Sequence, residues 1–148
     1  MGWLMAREAM QVKEKLFALG ICQDDTCLFC GNASESHKHL FVECLYSRRI
    51  LMGMAKLCKI SLPSGDVLQW VWQHKWSQAK KGVLLYSFMS CYYYIWKQRN
   101  RVRCEQVLLH PDVVVKQLQQ VVKMRVDAVS NQILGIDRIW LSNTGLCK

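Results

Sequence analysis

The sequence contains no apolar run long enough to cross a membrane. The longest one, GVLLYSFMSCYYYIW at Gly82–Trp96, has 15 residues and is interrupted by serine and tyrosine. A membrane-spanning helix needs about 20 predominantly apolar residues. We therefore expect this segment to be a buried helix, in a protein that does not insert into a membrane.

Targeting signals are also missing from the start of the chain. MGWLMAREAM has no basic segment ahead of an apolar one, and Arg7 and Glu8 interrupt it early. Ala6 stands where an N-myristoylation signal requires Ser or Thr. We expect an intracellular protein, in the nucleus or the cytoplasm and not secreted, whose thiols stay reduced.

Residue patterns that would indicate an enzyme are absent as well. The sequence shows no paired carboxylates, no glycine-rich phosphate loop and no convincing nucleophile–base–acid set. We therefore expect neither catalysis nor a small-molecule substrate.

Acidic residues are scarce relative to basic ones. The chain has 20 Lys and Arg against 11 Asp and Glu, which gives a formal net charge of +9. Such an excess favours an acidic partner, with RNA or DNA ahead of an anionic membrane surface. A basic surface that has no specific ligand is the alternative interpretation.

Cysteine, by contrast, is abundant and partly clustered. The segment CLFCGNASESHKHLFVEC at Cys27–Cys44 holds three cysteines and two histidines in 18 residues. Zinc takes four thiolate or imidazole ligands in a tetrahedron, which Cys27, Cys30, Cys44 and one histidine can supply. Spacing alone leaves both His37 and His39 open as the fourth ligand.

Three alternatives to a metal site are weaker for this cluster. A redox CxxC pair is normally set in a βαβ pattern, and none surrounds this one. A Cys–His nucleophile would leave the remaining cysteine without a role, and a reducing compartment disfavours a disulfide. A segment this rich in Gly, Asn and Ser also needs something other than a core to fix its shape, and a metal ion would do so.

Apolar residues recur at helical spacing through most of the rest of the chain. A first helix is expected along the face of Met5, Ala9, Val12, Leu16 and Leu19, which Gly20 ends. The predicted fold class is mainly α, with a small irregular Cys3His insert. We expect an N-terminal helix and zinc-binding module at 1–60 and a helical region at 61–148, packed together as one unit. The second region contains a long helix at about 78–106 and another at about 111–134.

The cysteine-rich segment resembles the zinc-binding domain that follows the reverse transcriptase in plant LINE-type retrotransposons. The resemblance rests on the CxxC pair, Glu35-Ser36, His39-Leu40-Phe41 and the closing Cys44. It extends upstream to a Trp-Leu helix and downstream to YYYIWKQRNRVRCEQ, and it covers roughly Trp3 to Gln106. The resemblance implies that a Zn²⁺ ion is bound by Cys27, Cys30, His39 and Cys44.

The sequence also departs from that family. Leu28-Phe29 place the leucine one position away from the usual one, and no Tyr-x-Asp-Asp polymerase motif is present. The spaced carboxylates of an RNase H domain are missing too. We therefore expect a stand-alone or domesticated fragment, whose role need not be that of the parent element.

A basic segment, KQRNRVRC, ends the predicted long helix. Helical spacing places Lys97 and Arg101 on one face and Arg99 and Arg103 on another. Arginine binds phosphate well, so these residues are candidates for nucleic-acid contact, with Arg48 and Arg49 as an extension. The alternative is that the segment is only the solvated end of a helix.

Two functions remain in contention. The first is a non-enzymatic, zinc-stabilised module that binds nucleic acid through the basic helix. The second is a structural or protein-partner-binding protein, in which zinc serves only folding. Salt discriminates them, because phosphate contacts weaken steeply as salt rises and a hydrophobic interface does not.

Overall fold

The computed structural model describes residues 10–146, and within them the fold is mainly helical. Six α-helices are present there: α1 (Lys13–Ala18), α2 (Leu45–Leu57), α3 (Val67–Gln73), α4 (Gln78–Glu105), α5 (Pro111–Val129) and α6 (Ile136–Ser142). Short turns of π and 3₁₀ helix lie at His39–Glu43 and Ser130–Gln132. The described residues contain no β-strand beyond one isolated bridge, between Thr26 and Ser34. The predicted mainly α fold with an irregular Cys3His insert is confirmed.

The chain divides into two compact units. The first, here called the knuckle unit, comprises residues 1–48 and 95–108. The second, the helical unit, comprises residues 49–94 and 109–148. Helices α2 and α4 each contribute residues to both units.

The first helix begins later than its apolar pattern suggests, because Val12 is extended, with ψ of 158°, and the α-helix starts only at Lys13. Val12 and Leu16 are buried as predicted, but the α-helix ends at Ala18 and Leu19 is 67% exposed. Gly20 follows with φ of +70°, a conformation that favours glycine, and this turns the chain away before Leu19 can reach the core. The predicted contributions of Met5 and Ala9 lie outside the described residues.

The helical unit is built around α4 and α5. Buried side chains of α4 include Leu84, Phe88 and Cys91, and α5 contributes Val114, Leu118, Val122 and Val126. A Cβ atom on Gly53 of α2 would lie 2.6 Å from a methyl group of Val115, so only glycine allows these two helices to approach this closely. No helix within residues 10–146 is both long and apolar enough to cross a membrane.

The boundaries of α3 and α5 have clear local causes. The Asp66 carboxylate accepts hydrogen bonds from the backbone N–H of Leu68 and Gln69, which caps the start of α3. Pro111 occupies the first turn of α5, where its missing N–H costs nothing. That helix ends at Val129, short of the predicted 134, because the backbone tightens into the 3₁₀ turn at Ser130–Gln132.

Candidate metal centre

The first half of the candidate centre is a tight turn that presents two thiols. Cys27 and Cys30 stand at its two ends, and the backbone N–H of Gly31 donates to the Cys27 carbonyl at 2.9 Å. Gly31 has φ of +65°, so glycine is the residue that closes this turn with least strain. The backbone N–H of Cys27 donates to the Ala33 carbonyl at 2.8 Å, which holds the turn from its other side.

The second half is the π-helical turn at His39–Glu43. The Ser36 hydroxyl accepts a hydrogen bond from the His39 backbone N–H at 3.0 Å and so fixes the start of the turn. The Cys44 N–H donates to the His39 carbonyl at 2.7 Å. This bond between residues five apart stacks Cys44 above His39, so that the H-x4-C spacing brings both side chains to one side.

The four side chains converge at one point. The Sγ atoms of Cys27, Cys30 and Cys44 and a ring nitrogen of His39 all lie within 4.8 Å of one another. The Cys27 and Cys44 sulfurs are 3.9 Å apart, and the Cys30 sulfur is 3.3 Å from His39 Nε2. A tetrahedral zinc with usual bond lengths requires about 3.8 Å between sulfurs and about 3.6 Å between sulfur and nitrogen. The group therefore fits a tetrahedral metal ion.

Protonation of the two buried thiols is coupled. A hydrogen bond to Cys44, together with burial, raises the pKa of the Cys27 thiol far above its usual value. The same hydrogen bond lowers the pKa of the Cys44 thiol, against the effect of burial. The two sulfurs thus lie close enough for one thiol to donate to the other, and a bound metal ion would require both to be deprotonated.

The other histidine of the motif has a different role. His37 Nε2 lies 3.0 Å from the Met10 carbonyl, so its ring faces the segment before α1. It does not belong to the converging group. The structure thus brings together Cys27, Cys30, His39 and Cys44, the set that the resemblance implied.

A buried carboxylate, that of Glu35, accepts hydrogen bonds from the segments around this centre. Glu35 is fully buried, and its Oε2 accepts a hydrogen bond from the N–H of Leu28, inside the CxxC turn. Its Oε1 accepts from the N–H of Lys13 at the start of α1. Arg99 of α4 binds the same oxygen through Nε at 3.0 Å and Nη2 at 2.8 Å. One carboxylate therefore ties together the first helix, the CxxC turn and the long helix.

Arg99 consequently does not lie where the sequence analysis placed it. It was a candidate for phosphate contact, but its side chain is 1% exposed and bound to Glu35, with its guanidinium 5.0 Å from the Trp96 ring centre. Helical spacing shows only which residues share a face; this face is turned inward at Arg99, whereas Arg103, one turn later, is exposed. The pairing of Glu35 with Arg99 across 64 positions was missed, although both residues belong to the motifs that carried the resemblance.

The remaining basic residues at the end of α4 face solvent to different degrees. Lys97 and Arg103 are exposed, and Arg101 is 38% exposed in an ion pair with Glu105. Lys97, Arg101 and Glu105 line a groove of about 420 Å³ together with Asn100 and Cys104. Two of the five residues that line this groove, Lys97 and Arg101, are basic, and one, Glu105, is acidic.

Arg48 and Arg49 fall on different sides of the unit boundary. Arg48, in the knuckle unit, is half-buried, and its Nη1 lies 3.5 Å from the Val42 carbonyl. Arg49, in the helical unit, is exposed. Arg48 therefore packs over the π-helical turn, while Arg49 faces water.

Comparison with known proteins bears on the N-terminal third of the chain. Residues 1–50 match a protein family described as zinc-binding in reverse transcriptase. The match contains the four converging side chains and Glu35, and it ends before Arg99. No curated protein and no solved structure matches the chain. Residues 1–50 are thus similar to the zinc-binding domain associated with reverse transcriptases.

Proposed function

We propose that this protein is a non-enzymatic, zinc-stabilised module that binds nucleic acid through the basic end of α4. One observation carries the proposal: a groove lined by Lys97 and Arg101 lies in the same compact unit as a converging Cys3His group. Two further proposals go with it. The module descends from a LINE-type retrotransposon protein, and it acts inside the cell, where reduced thiols can bind zinc.

Zinc is the metal that suits this donor set best. Three thiolates and one imidazole are a common ligand set of structural zinc sites, and soft thiolates disfavour calcium and magnesium. Four protein ligands leave no open coordination position for water or substrate, which supports a structural role. Bound zinc would contribute on the order of 10 kcal/mol to the folding of the segment that supplies its ligands.

The basic end of α4 suits phosphate. No Asp or Glu occurs between Asp66 and Glu105 in the sequence, so most of α4 carries only positive charge. The single carboxylate at the groove, Glu105, holds the Arg101 guanidinium in an exposed ion pair. Exposed pairs contribute about 1 kcal/mol or less, so a phosphate can replace the carboxylate at small cost.

The test is the salt dependence of nucleic-acid binding. Changing Lys97, Arg101 and Arg103 together to Gln keeps helix propensity and removes three charges. If each residue contacts one phosphate, the slope of log affinity against log salt should fall by about 0.7–0.9 per contact. Affinity should fall similarly for unrelated sequences, because phosphate contacts carry no base information.

A matched control removes the same charge from the helical unit. Lys56, Lys116 and Arg125 also carry three positive charges in that unit, and all three are exposed. Their change to Gln should leave the salt slope nearly as it is in the parent protein. Equal effects of the two triple variants would reduce the interaction to net charge and contradict a site on α4.

A second candidate function, binding of a protein partner, is supported by exposed apolar side chains. Leu134, Ile136 and Ile139 are 72%, 84% and 64% exposed within one short stretch around the start of α6. Such a stretch suits a partner interface better than it suits solvent. Binding through it would be insensitive to salt and would weaken when Ile136 and Ile139 are changed to Ser.

A further inference from the structure

A chain of aromatic rings lies on the helical unit, which does not contain the Cys3His group. Trp70 of α3, His74 and Trp76 contact one another, with ring centres 5.1 Å apart for Trp70–His74 and Trp70–Trp76. The His74 and Trp76 rings are closest, with centres 3.9 Å apart and planes 35° from parallel. The His74 side chain is exposed and both indoles are half-buried, so this chain of rings is open to solvent on one side.

A lysine ammonium lies between the last ring of this chain, Trp76, and a further indole, Trp140. The Lys80 ammonium lies 4.6 Å from the Trp76 ring centre and 4.8 Å from that of Trp140. The indole N–H of Trp140 donates to the Cys58 carbonyl at 3.2 Å, which fixes the second ring in place. We call Trp70, His74, Trp76, Lys80 and Trp140 the aromatic–lysine array.

The charge around the array is positive. Lys75 is exposed next to it, and the Lys81 ammonium is held at 2.9 Å by the Trp72 carbonyl at the end of α3. Helix α6, which carries Trp140, adds one acid and one base, Asp137 and Arg138, whose charges cancel. The array therefore combines flat rings with a local excess of ammonium groups.

We propose that the aromatic–lysine array binds single-stranded nucleic acid, by stacking bases on His74 and Trp76 and by placing phosphates near Lys75, Lys80 and Lys81. Stacked aromatic rings beside lysines are the usual means of holding a single strand without reading its sequence. The bases of a duplex are already stacked on one another, so their faces cannot reach these rings.

The positive charge of the neighbouring lysines disfavours a cationic ligand for the same rings. Indole faces also bind methylated ammonium groups, but here Lys80 already occupies the space between Trp76 and Trp140. A second cation would be repelled by Lys80 and Lys75, whereas an anionic strand is attracted by both. The ligand chemistry that fits is therefore a base joined to a phosphate, present in a strand or in a free nucleotide.

This inference deepens the proposed function by naming the nucleic-acid form that the protein prefers. It rests on different residues, in the other compact unit, so the two can fail separately. Loss of binding through Lys97, Arg101 and Arg103 should affect single and double strands alike. Loss of the rings should affect single strands alone.

The experiment uses the full chain with zinc bound. Affinity is measured for a labelled single-stranded oligonucleotide, for the duplex of the same sequence and for a mononucleotide. The variants are Trp76→Leu and His74→Ala; the second removes only an exposed ring and tests the proposal even if Trp76→Leu does not fold. Trp72→Leu is the matched control, since this indole is 70% exposed and makes no ring contact within residues 10–146.

We expect Trp76→Leu and His74→Ala to weaken single-strand binding roughly 5- to 100-fold, with duplex binding and the salt slope unchanged. A photoreactive halogenated uracil in the strand should crosslink to His74 or Trp76. Unchanged single-strand affinity in His74→Ala, or an equal loss in Trp72→Leu, would overturn the proposal. So would mononucleotide binding as tight as that of the strand, because the array would then be a nucleotide pocket.

Discussion

Glu35 and Arg99 form a fully buried ion pair in the knuckle unit. The two side chains are 0% and 1% exposed, and the carboxylate binds backbone N–H groups of Lys13 and Leu28 besides the guanidinium. A buried charge without its partner is costly, because nothing in the interior replaces the water it has lost. The pair therefore specifies one position of the long helix relative to the CxxC turn.

The first prediction removes one partner of this pair. Arg99→Met should lower the free energy of unfolding by about 3–5 kcal/mol, because it leaves the Glu35 carboxylate buried and unpaired. Arg99→Met combined with Glu35→Leu should be less damaging than Arg99→Met alone. Urea unfolding of the zinc-bound protein measures both effects. A double variant whose loss equals the sum of the two single losses would show that the side chains are not energetically coupled.

The second prediction concerns the two histidines. His39→Ala should release the metal, since it removes one of the four converging ligands. His37→Ala should retain it, because the His37 ring contacts the Met10 carbonyl instead. Native mass spectrometry of both variants gives the number of metal ions per chain. Equal loss from both would contradict the assignment of His39 alone as the histidine ligand, and metal retained in both would mean that either histidine can serve.

The residue level shows where sequence reasoning succeeds and where it does not. Cys27, Cys30 and Cys44 were identified because metal ligands follow short, local spacing rules. Arg99 was misplaced as a surface residue because its burial depends on Glu35, 64 positions away, and no local spacing contains that information. The sequence did contain a signal for this pair, because Glu35 lies in the metal-binding segment and Arg99 in the IWKQRN stretch, and both segments carried the family resemblance.

Among the helices, α4 is the one that supplies both core residues of the helical unit and the basic groove of the knuckle unit. It has 28 residues, places Phe88 and Cys91 in the core of the helical unit and ends in the basic groove of the knuckle unit. Its extent follows from the sequence, since no proline interrupts it. The end of α1 follows as well, since Gly20 ends it as expected, but its start does not, because Val12 is extended although it continues the apolar spacing.

The third prediction compares cysteines along these helices. Burial raises the pKa of Cys58 to about 12 and that of Cys91 well above the usual value, while Cys104 is exposed. Because the thiolate is the reactive form, an alkylating reagent near pH 7 should modify Cys104 and spare Cys58 and Cys91. Peptide mass spectrometry locates the label.

The same measurement after chelation tests the metal. Removing the ion should add three labelled positions, Cys27, Cys30 and Cys44, because the segment loses what holds it folded. Cys58 and Cys91 should stay protected, since they lie in the helical unit. Rapid labelling of Cys58 before chelation would contradict the burial of that thiol.

At the scale of the whole molecule, we propose that the metal serves folding and the positive charge serves binding. Under this proposal the net charge of +9 favours nucleic acid without selecting a site, and the basic groove of α4 and the aromatic–lysine array would select one. The sequence indicated the first surface. It did not indicate the second, because the contact of Trp70 with Trp76 and the position of Lys80 over Trp76 and Trp140 depend on how α3, the start of α4 and α6 meet.

The central proposal is that a zinc ion at the Cys3His group holds together the segment on which the knuckle unit is built, and X-ray absorption at the zinc edge tests it most directly. In protein kept reduced throughout, the account predicts one zinc per chain, with three sulfur ligands at about 2.3 Å and one nitrogen at about 2.0–2.1 Å. Oxygen ligands in place of sulfur, or a metal-free protein with a disulfide between Cys27 and Cys30, would contradict it.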